Sequence, residues 1–393
     1  MKEQIMIALS DFKFTQVGFL NLTKPISLSF YEEWLDEGLN ADMKYLKDHL
    51  GQKKDLNQFL PEAKSVIIVA LDYFNHPKPM SLKSKKELIT ESLLTKTSDT
   101  KISSMKIASY AKGEDYHFFF KKKLEDAKNH LKSIYPNEEF KTSTDSKPIL
   151  ERDFAYQAGL GWYGKNTMLI HQDHGSYFLL GEIVTTIDFK STKKENLNFS
   201  IDVNPSRREN ADPMSDDLSY HPNRCGTCTK CIDACPTQAL SPQKLDANKC
   251  ISYWTIESKT IPPLSLAQKF DSWFFGCDIC QDVCPWNIKL HTLDKIKTKN
   301  QVERQDVLDE ILEILKSSNK ALEKKFFGTP LSRARGFGLK RNALIVAMNM
   351  KAIEIKDDIT NIDLKNLELE NFKTKILSSL TTFNVESDLI LPQ

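Results

Sequence analysis

Apolar residues along this chain recur with two spacings, and its first half uses both. Val66-Ile67-Ile68-Val69-Ala70-Leu71 is an unbroken apolar run inside a β-rich stretch, Ser65 to Tyr73, that follows the turn-forming Leu60-Pro61-Glu62. A run of that length predicts a strand buried on both faces. From Phe30 to Leu50, Trp34, Leu35, Met43, Tyr45 and Leu46 stand among polar residues, which predicts amphipathic helices joined at Gly38. Asp115 to Tyr135 reads as a helix and Tyr177 to Thr186 as a second strand. Between His76 and Lys106 the chain turns Lys/Ser/Thr-rich, and an exposed insertion with a short helix near Glu87 to Leu94 is expected. The polar stretch Asn196 to Asn223, with Pro205, Pro213 and Pro222, is the linker candidate. Beyond it, Leu308, Ile311, Leu312 and Leu315 mark a helix over Gln305 to Leu315, and Asn342 to Met350 marks a second. A further helix pair is expected in Asp363 to Gln393, giving a small HEAT-like helical tail, although two units do not establish a repeat.

These patterns divide the chain into an α/β (α+β) domain over residues 1–195, a ferredoxin-like middle domain over 196–295, and an α-helical domain over 296–393. A length of 393 residues accommodates three cores. Hydrophobic content of 40% and charged content of 27% describe an ordinary soluble chain, and no apolar stretch reaches the length of a membrane span. A net charge of +1 excludes a global attraction to nucleic acid, so such a partner must be met by a local patch.

The middle segment changes this picture, because it holds all eight cysteines: Cys225-x2-Cys228-x2-Cys231-x3-Cys235-Pro236, then Cys250, then Cys277-x2-Cys280-x3-Cys284-Pro285. Eight thiolates are enough for two 4Fe-4S cubes. In two-cluster ferredoxins the fourth cysteine of each run ligates the other cube. That rule assigns Cys225, Cys228, Cys231 and Cys284 to one cluster and Cys250, Cys277, Cys280 and Cys235 to the other. Paired Zn(Cys)4 sites are the alternative, but zinc favours paired knuckles over a triple run closed by Cys-Pro. Disulfides are not expected, since the cysteines are grouped as ligands and Met1-Lys2-Glu3-Gln4 does not resemble the start of a secretory signal; a reducing cytoplasm is expected.

Clusters move single electrons, and the large flanking segments call for an enzyme that uses them. Three upstream strings are candidates for its site: Ser109-Tyr110-Ala111-Lys112-Gly113-Glu114-Asp115-Tyr116-His117, Asp145-Ser146-Lys147-Pro148-Ile149-Leu150-Glu151-Arg152, and Ala158-Gly159-Leu160-Gly161-Trp162-Tyr163-Gly164-Lys165-Asn166-Thr167. The glycines of the third satisfy Gly-x-Gly-x-x-Gly, but no clear strand precedes them and no helix opens at the last, so the context of a dinucleotide site is missing. A Gly-rich turn and a close approach to a ligand both remain open there. Asp145, taken alone, reads equally as a turn carboxylate before Pro148.

Together these strings, with Arg224 to Cys231, Cys250-Ile251-Ser252-Tyr253-Trp254-Thr255-Ile256-Glu257 and Gly276-Cys277-Asp278-Ile279-Cys280-Gln281-Asp282-Val283-Cys284-Pro285-Trp286-Asn287, resemble the epoxyqueuosine reductases, which complete queuosine at the wobble position of certain tRNAs. The likeness covers most of residues 1–350. It implies a cobalamin in the upstream domain beside one cluster, the second cluster taking electrons from an external donor. It also implies that Asp145 is the proton donor, that Tyr110, Asp115 and His117 line the site, and that Lys165, Asn166 and Thr167 contact the corrin. Asp115-x-His117 begins the string by which some cobalamin proteins supply a histidine to cobalt, but Phe120 stands where glycine is needed, so no such ligand is expected. The anticodon arm of the tRNA implied by the resemblance needs a basic surface. Lys324, Lys325, Arg333, Arg335, Lys340 and Arg341 occupy a segment without one acid, interleaved with Phe326, Phe327 and Phe337. A solvated basic face is the alternative reading of that segment. A monomer is expected. Two other functions compete: a reductive dehalogenase, disfavoured because no twin-arginine leader is seen, and a ferredoxin-like carrier without corrinoid.

Overall fold

The computed structural model describes residues 1–73, 103–145, 147–189, 199–200, 223–288, 290 and 303–386. Its organising element is a five-stranded, wholly antiparallel sheet in the order Phe140–Ser143, Phe178–Thr185, Ser65–Asp72, Gln16–Asn21 and Phe199–Ser200. All eight residues of Ser65–Asp72 are buried, because the strand is central and covered on both faces. On one face Ile67, Val69 and Leu71 pack with the helices Lys2–Ser10 and Tyr116–Ile134. On the other, Val66, Ile68 and Ala70 pack with the helix Glu151–Gln157, Leu160, Trp162 and Cys284. The domain is therefore α+β, with helices on both sides of the sheet.

Local rules explain the Tyr116 helix. Asp115 caps it by accepting from the His117 N–H at 3.0 Å, and Phe120, Leu124, Ala127 and Leu131 recur every three or four residues on its buried face. The expected joint at Gly38 is present: the helix Leu28–Asp36 ends there with φ +68. Two expectations need correction. Ser103 to Ile107 belongs to the core, not to a surface insertion, since Met105 and Ile107 are buried and Lys106–Ile107 pairs in parallel with Trp273–Phe275. Residues 74–102, with the short helix expected there, lie outside the described residues. The chain past residue 189 is likewise not all linker, for Phe199–Ser200 joins the edge of the sheet, while 201–222 lie outside the described residues.

The helices Arg304–Lys316, Asn319–Lys325, Arg335–Asn349 and Leu367–Glu386 form the tail, and the last is one long helix where a pair was expected. Packing does not stop at the expected boundary near residue 295. One apolar core runs from Met105, Ile107 and Ala111 through Phe270 and Trp273 to Phe275 into Leu339, Leu344 and Ile376. Polar side chains of the Arg335 helix reinforce the junction: Asn342 donates to the carbonyls of Thr255 and Phe274, each at 2.8 Å. Among the described residues no helix is long and apolar enough to cross a membrane.

Candidate active site and cysteine centre

Asp145 follows the edge strand Phe140–Ser143 in a left-handed conformation, φ +49, a costly backbone for a non-glycine residue that neighbouring contacts must hold. Two hydrogen bonds do so. The Tyr116 hydroxyl donates to Asp145 Oδ2, and the Asp145 N–H donates to Glu151 Oε1 at the start of the Glu151–Gln157 helix. The helix cap brings a third group: His117 Nδ1 lies 2.8 Å from Asp115 Oδ1, and its Nε2 lies 3.7 Å from Asp145 Oδ2. The Tyr116 and His117 rings stack at 4.1 Å, and Tyr110 meets Tyr116 edge to face at 6.0 Å. Asp145, Tyr110, Asp115 and His117, expected from sequence to share a site, are thus brought together. Tyr116 and Glu151 were missed as site residues, although both stand in the strings that carried the resemblance.

The electrostatics follow from this packing. The hydrogen bond His117 donates to Asp115 is the largest influence on it and raises its pKa above the ordinary 6.5, against burial. Burial, with the charge of Asp145 next, pushes Glu151 up to about 8, so this acid is protonated at neutral pH. Glu182, fully buried in the central sheet opposite Ser143, is also pushed up, first by burial and then by Glu151. Burial raises Tyr110 and Tyr116 as well, and both remain neutral donors.

Eight free cysteines fall into two groups. Burial raises Cys231 and Cys284, and the nearest thiols that add to it are Cys225 and Cys284 for the first, Cys225 and Cys228 for the second. Cys277 is raised by burial, then by Cys250 and Cys235, and Cys280 by burial, then by Cys277 and Cys250. Cys280 also feels Cys231, which marks where the groups approach one another. Among the described residues no three His, Cys, Asp or Glu side chains converge as a single metal ion requires.

In the Gly-rich string, Lys165 Nζ donates to the carbonyls of Gly226 at 2.7 Å and Cys228 at 3.0 Å, and Asn166 Nδ2 donates to the carbonyl of Cys280 at 3.2 Å. These adjacent side chains tie the string to both cysteine runs. Thr167, with φ +67, accepts from Arg152 through its carbonyl.

The basic tail segment is corrected more sharply. Arg341 is fully buried and donates to the carbonyls of Trp254, Ser258 and Thr260; Lys340 is buried too. Neither can meet phosphate in this fold. Lys325 pairs with Glu313 at 2.6 Å, and Arg333 forms a two-pronged pair with Glu257 at 2.9 and 3.0 Å. Lys324, Arg333 and Arg335 are exposed.

Comparison with known proteins places these features in a family. Residues 224–287 match the 4Fe-4S double cluster binding domain, and residues 53–146 match the model described as Epoxyqueuosine reductase QueG, DUF1730. The chain is 32% identical over 347 residues to the epoxyqueuosine reductase of Francisella cf. novicida (strain Fx1), covering 88% of this chain and 85% of that protein. The chain belongs to the epoxyqueuosine reductase family. It is an oxidoreductase with two iron-sulfur clusters. The Synechocystis sp. (strain ATCC 27184 / PCC 6803 / Kazusa) epoxyqueuosine reductase is 34% identical over 315 residues, 79% of this chain and 92% of that one. Solved structures share the fold: epoxyqueuosine reductase with an epoxyqueuosine-modified tRNA-Tyr stem loop matches at 24% identity, TM-score 0.70, over 96% of this chain and 90% of that one. The Streptococcus thermophilus enzyme matches at 22% identity, TM-score 0.67, over 97% and 90%.

Proposed function

We propose that this chain reduces epoxyqueuosine to queuosine at the wobble position of tRNA, using cobalamin, two 4Fe-4S clusters fed by an external electron donor, and Asp145 as the proton donor. The observation that carries this reading is the convergence of Tyr116, His117 and Glu151 on Asp145. Conversion of the epoxide to an alkene consumes two electrons and two protons and releases the oxygen as water. Cobalamin, when bound, supplies the two-electron reducing chemistry, and the clusters replenish it singly.

The residues present suit that cofactor. Tyr110 packs on Tyr116 on one side and lies in the same apolar cluster as Cys277 on the other, so a group set against Asp145 is one ring from the Cys250 cluster. Gly276, with φ +67, has Ala108 where a side chain would stand, which lets the Cys277 loop press against the Tyr110 segment. His117 is engaged by Asp115, and Phe120 is buried in the sheet's core.

Asp145 protonates the departing oxygen. Tyr116 donates to Oδ2 and leaves Oδ1 to carry that proton. Asp115 accepts from His117 Nδ1–H and favours the imidazolium, whose Nε2–H, facing Asp145, returns a proton to it after each turnover. Glu151, neutral, anchors the loop without adding a charge. Cys225, Cys228, Cys231 and Cys284 hold one cluster, and Cys235, Cys250, Cys277 and Cys280 the other. The grouping of the thiols supports that assignment. Reduced thiols and a tRNA substrate suit a monomer working in the cytoplasm.

Metal analysis of the anaerobically reconstituted protein tests the cofactor set. About eight irons and one cobalt per chain are expected. Iron without uptake of cobalamin would leave an electron carrier instead.

A further inference from the structure

Four large aromatic side chains are notably exposed among the described residues: Phe30 at 42%, Tyr45 at 40%, Phe118 at 54% and Phe327 at 79%. Three of them stand on segments that meet at one place. Tyr45 has Glu257, Arg333 and Asp145 as its charged neighbours. Phe118 follows His117 in the first turn of the Tyr116–Ile134 helix. Phe327 sits on the turn after Asn319–Lys325, whose next residue, Gly328, accepts from the Asp115 N–H at 2.8 Å. Single exposed phenyl rings need no explanation. Three on separate segments that converge on one polar site do.

Around Phe327 the sequence is basic. Lys324, Arg333 and Arg335 are exposed on the Phe327 side, and the run from Lys324 to Arg341 contains no acid. Arg333 is shared with Glu257. Aromatic faces interleaved with cations bind single-stranded nucleic acid: bases stack on the rings and phosphates meet the cations. A protein partner would call for a continuous apolar patch, and these rings are separated by charge.

We infer that Tyr45, Phe118 and Phe327 form a stacking rim for the nucleotides flanking the base that enters the Asp145 site, with Lys324, Arg333 and Arg335 meeting their phosphates. This rests on the tRNA reading above and adds the means by which a flipped nucleotide's neighbours are held. A loop whose bases are splayed open presents faces to rings, whereas a paired stem does not. The rim therefore selects the loop rather than the helix of the arm.

The test is binding of a fluorescein-labelled tRNA anticodon stem-loop to the full-length, cluster-loaded protein. Phe327→Ala and Phe118→Ala should each weaken binding by roughly tenfold, the scale of one stacked base, with the salt dependence unchanged. Phe327→Trp should restore it. Arg335→Glu should instead flatten the salt dependence, as loss of a phosphate contact requires. Binding that is intact in both alanine variants overturns the rim alone. No binding by the wild-type protein overturns the tRNA reading beneath it. Concentration-dependent dimerisation abolished by Phe327→Ala would assign the rings to a second copy and also overturn the proposal.

Discussion

Replacing Arg341 with methionine separates the structural and RNA-binding readings of the basic tail. The guanidinium is fully buried, and burial lowers its pKa to about 10, so it stays cationic at neutral pH. The carbonyls of Trp254, Ser258 and Thr260 accept its hydrogen bonds, Asn342 Oδ1 accepts from Nε at 3.0 Å, and the charge of Asp42 favours the cation. Methionine keeps much of the stem's volume but leaves those carbonyls without a donor, each at a cost of about 1–3 kcal/mol. Relief from burying the charge offsets part of that sum. A net loss on the order of 4 kcal/mol follows, which for a chain of this size lowers Tm by roughly 5 °C. Because these carbonyls lie within and just past the helix Ile251–Ile256, whose N-cap is Cys250, iron content should fall with stability. Melting followed by far-UV circular dichroism, with iron quantified alongside, makes the measurement. An unchanged Tm together with weaker stem-loop binding and a shallower salt dependence would refute the reasoning, because it would mean that Arg341 meets phosphate.

Three other outcomes follow from the same geometry. Glu151 binds its proton up to about pH 8 when folded but releases it near 4.5 when unfolded, so between those values rising pH favours the unfolded chain. Glu151→Gln should flatten that pH dependence while its amide oxygen still anchors the Asp145 N–H; parallel stability curves from pH 5 to 8 would contradict it. Lys165→Met removes a positive charge from the carbonyls of Gly226 and Cys228, and should lower the midpoint potential of the Cys225 cluster by tens of millivolts, about 59 mV for a tenfold change. Equal shifts in both clusters by redox titration would sink that assignment. Gly276→Ala should impair cluster loading, since its Cβ would stand 2.6 Å from that of Ala108 at φ +67; full iron content would show that the loop can yield.

What was legible in the sequence was local. The run Val66 to Leu71 announced a strand covered on both faces, and Asp115 with its trailing Phe120, Leu124 and Leu131 announced a capped helix. The cysteine spacing announced the grouping of thiols. What escaped depends on contacts between distant segments. Glu151 reaches back to the backbone of Asp145 only because the Pro148 turn folds the chain on itself, and Lys165 meets Gly226 across 61 residues. Arg341 carried a signal that went unused. It stands among Leu339, Ala343, Leu344 and Ile345, in a helix apolar on nearly every side. Such a helix is buried, and its polar residues with it. A count of cations along the tail treated all six alike, whereas the fold exposes four, two of them paired with acids, and buries the other two.

The central claim is that Asp145, held by Tyr116, Glu151 and His117, gives the proton that lets oxygen leave. Its most direct test is a single-turnover assay of prereduced, cobalamin-loaded Asp145→Asn on an epoxyqueuosine-containing stem-loop, read by mass spectrometry of the released nucleosides. The account predicts wild-type iron, cobalt and stem-loop affinity, with conversion to queuosine slowed by about a hundredfold or more. Conversion at the wild-type rate would contradict it.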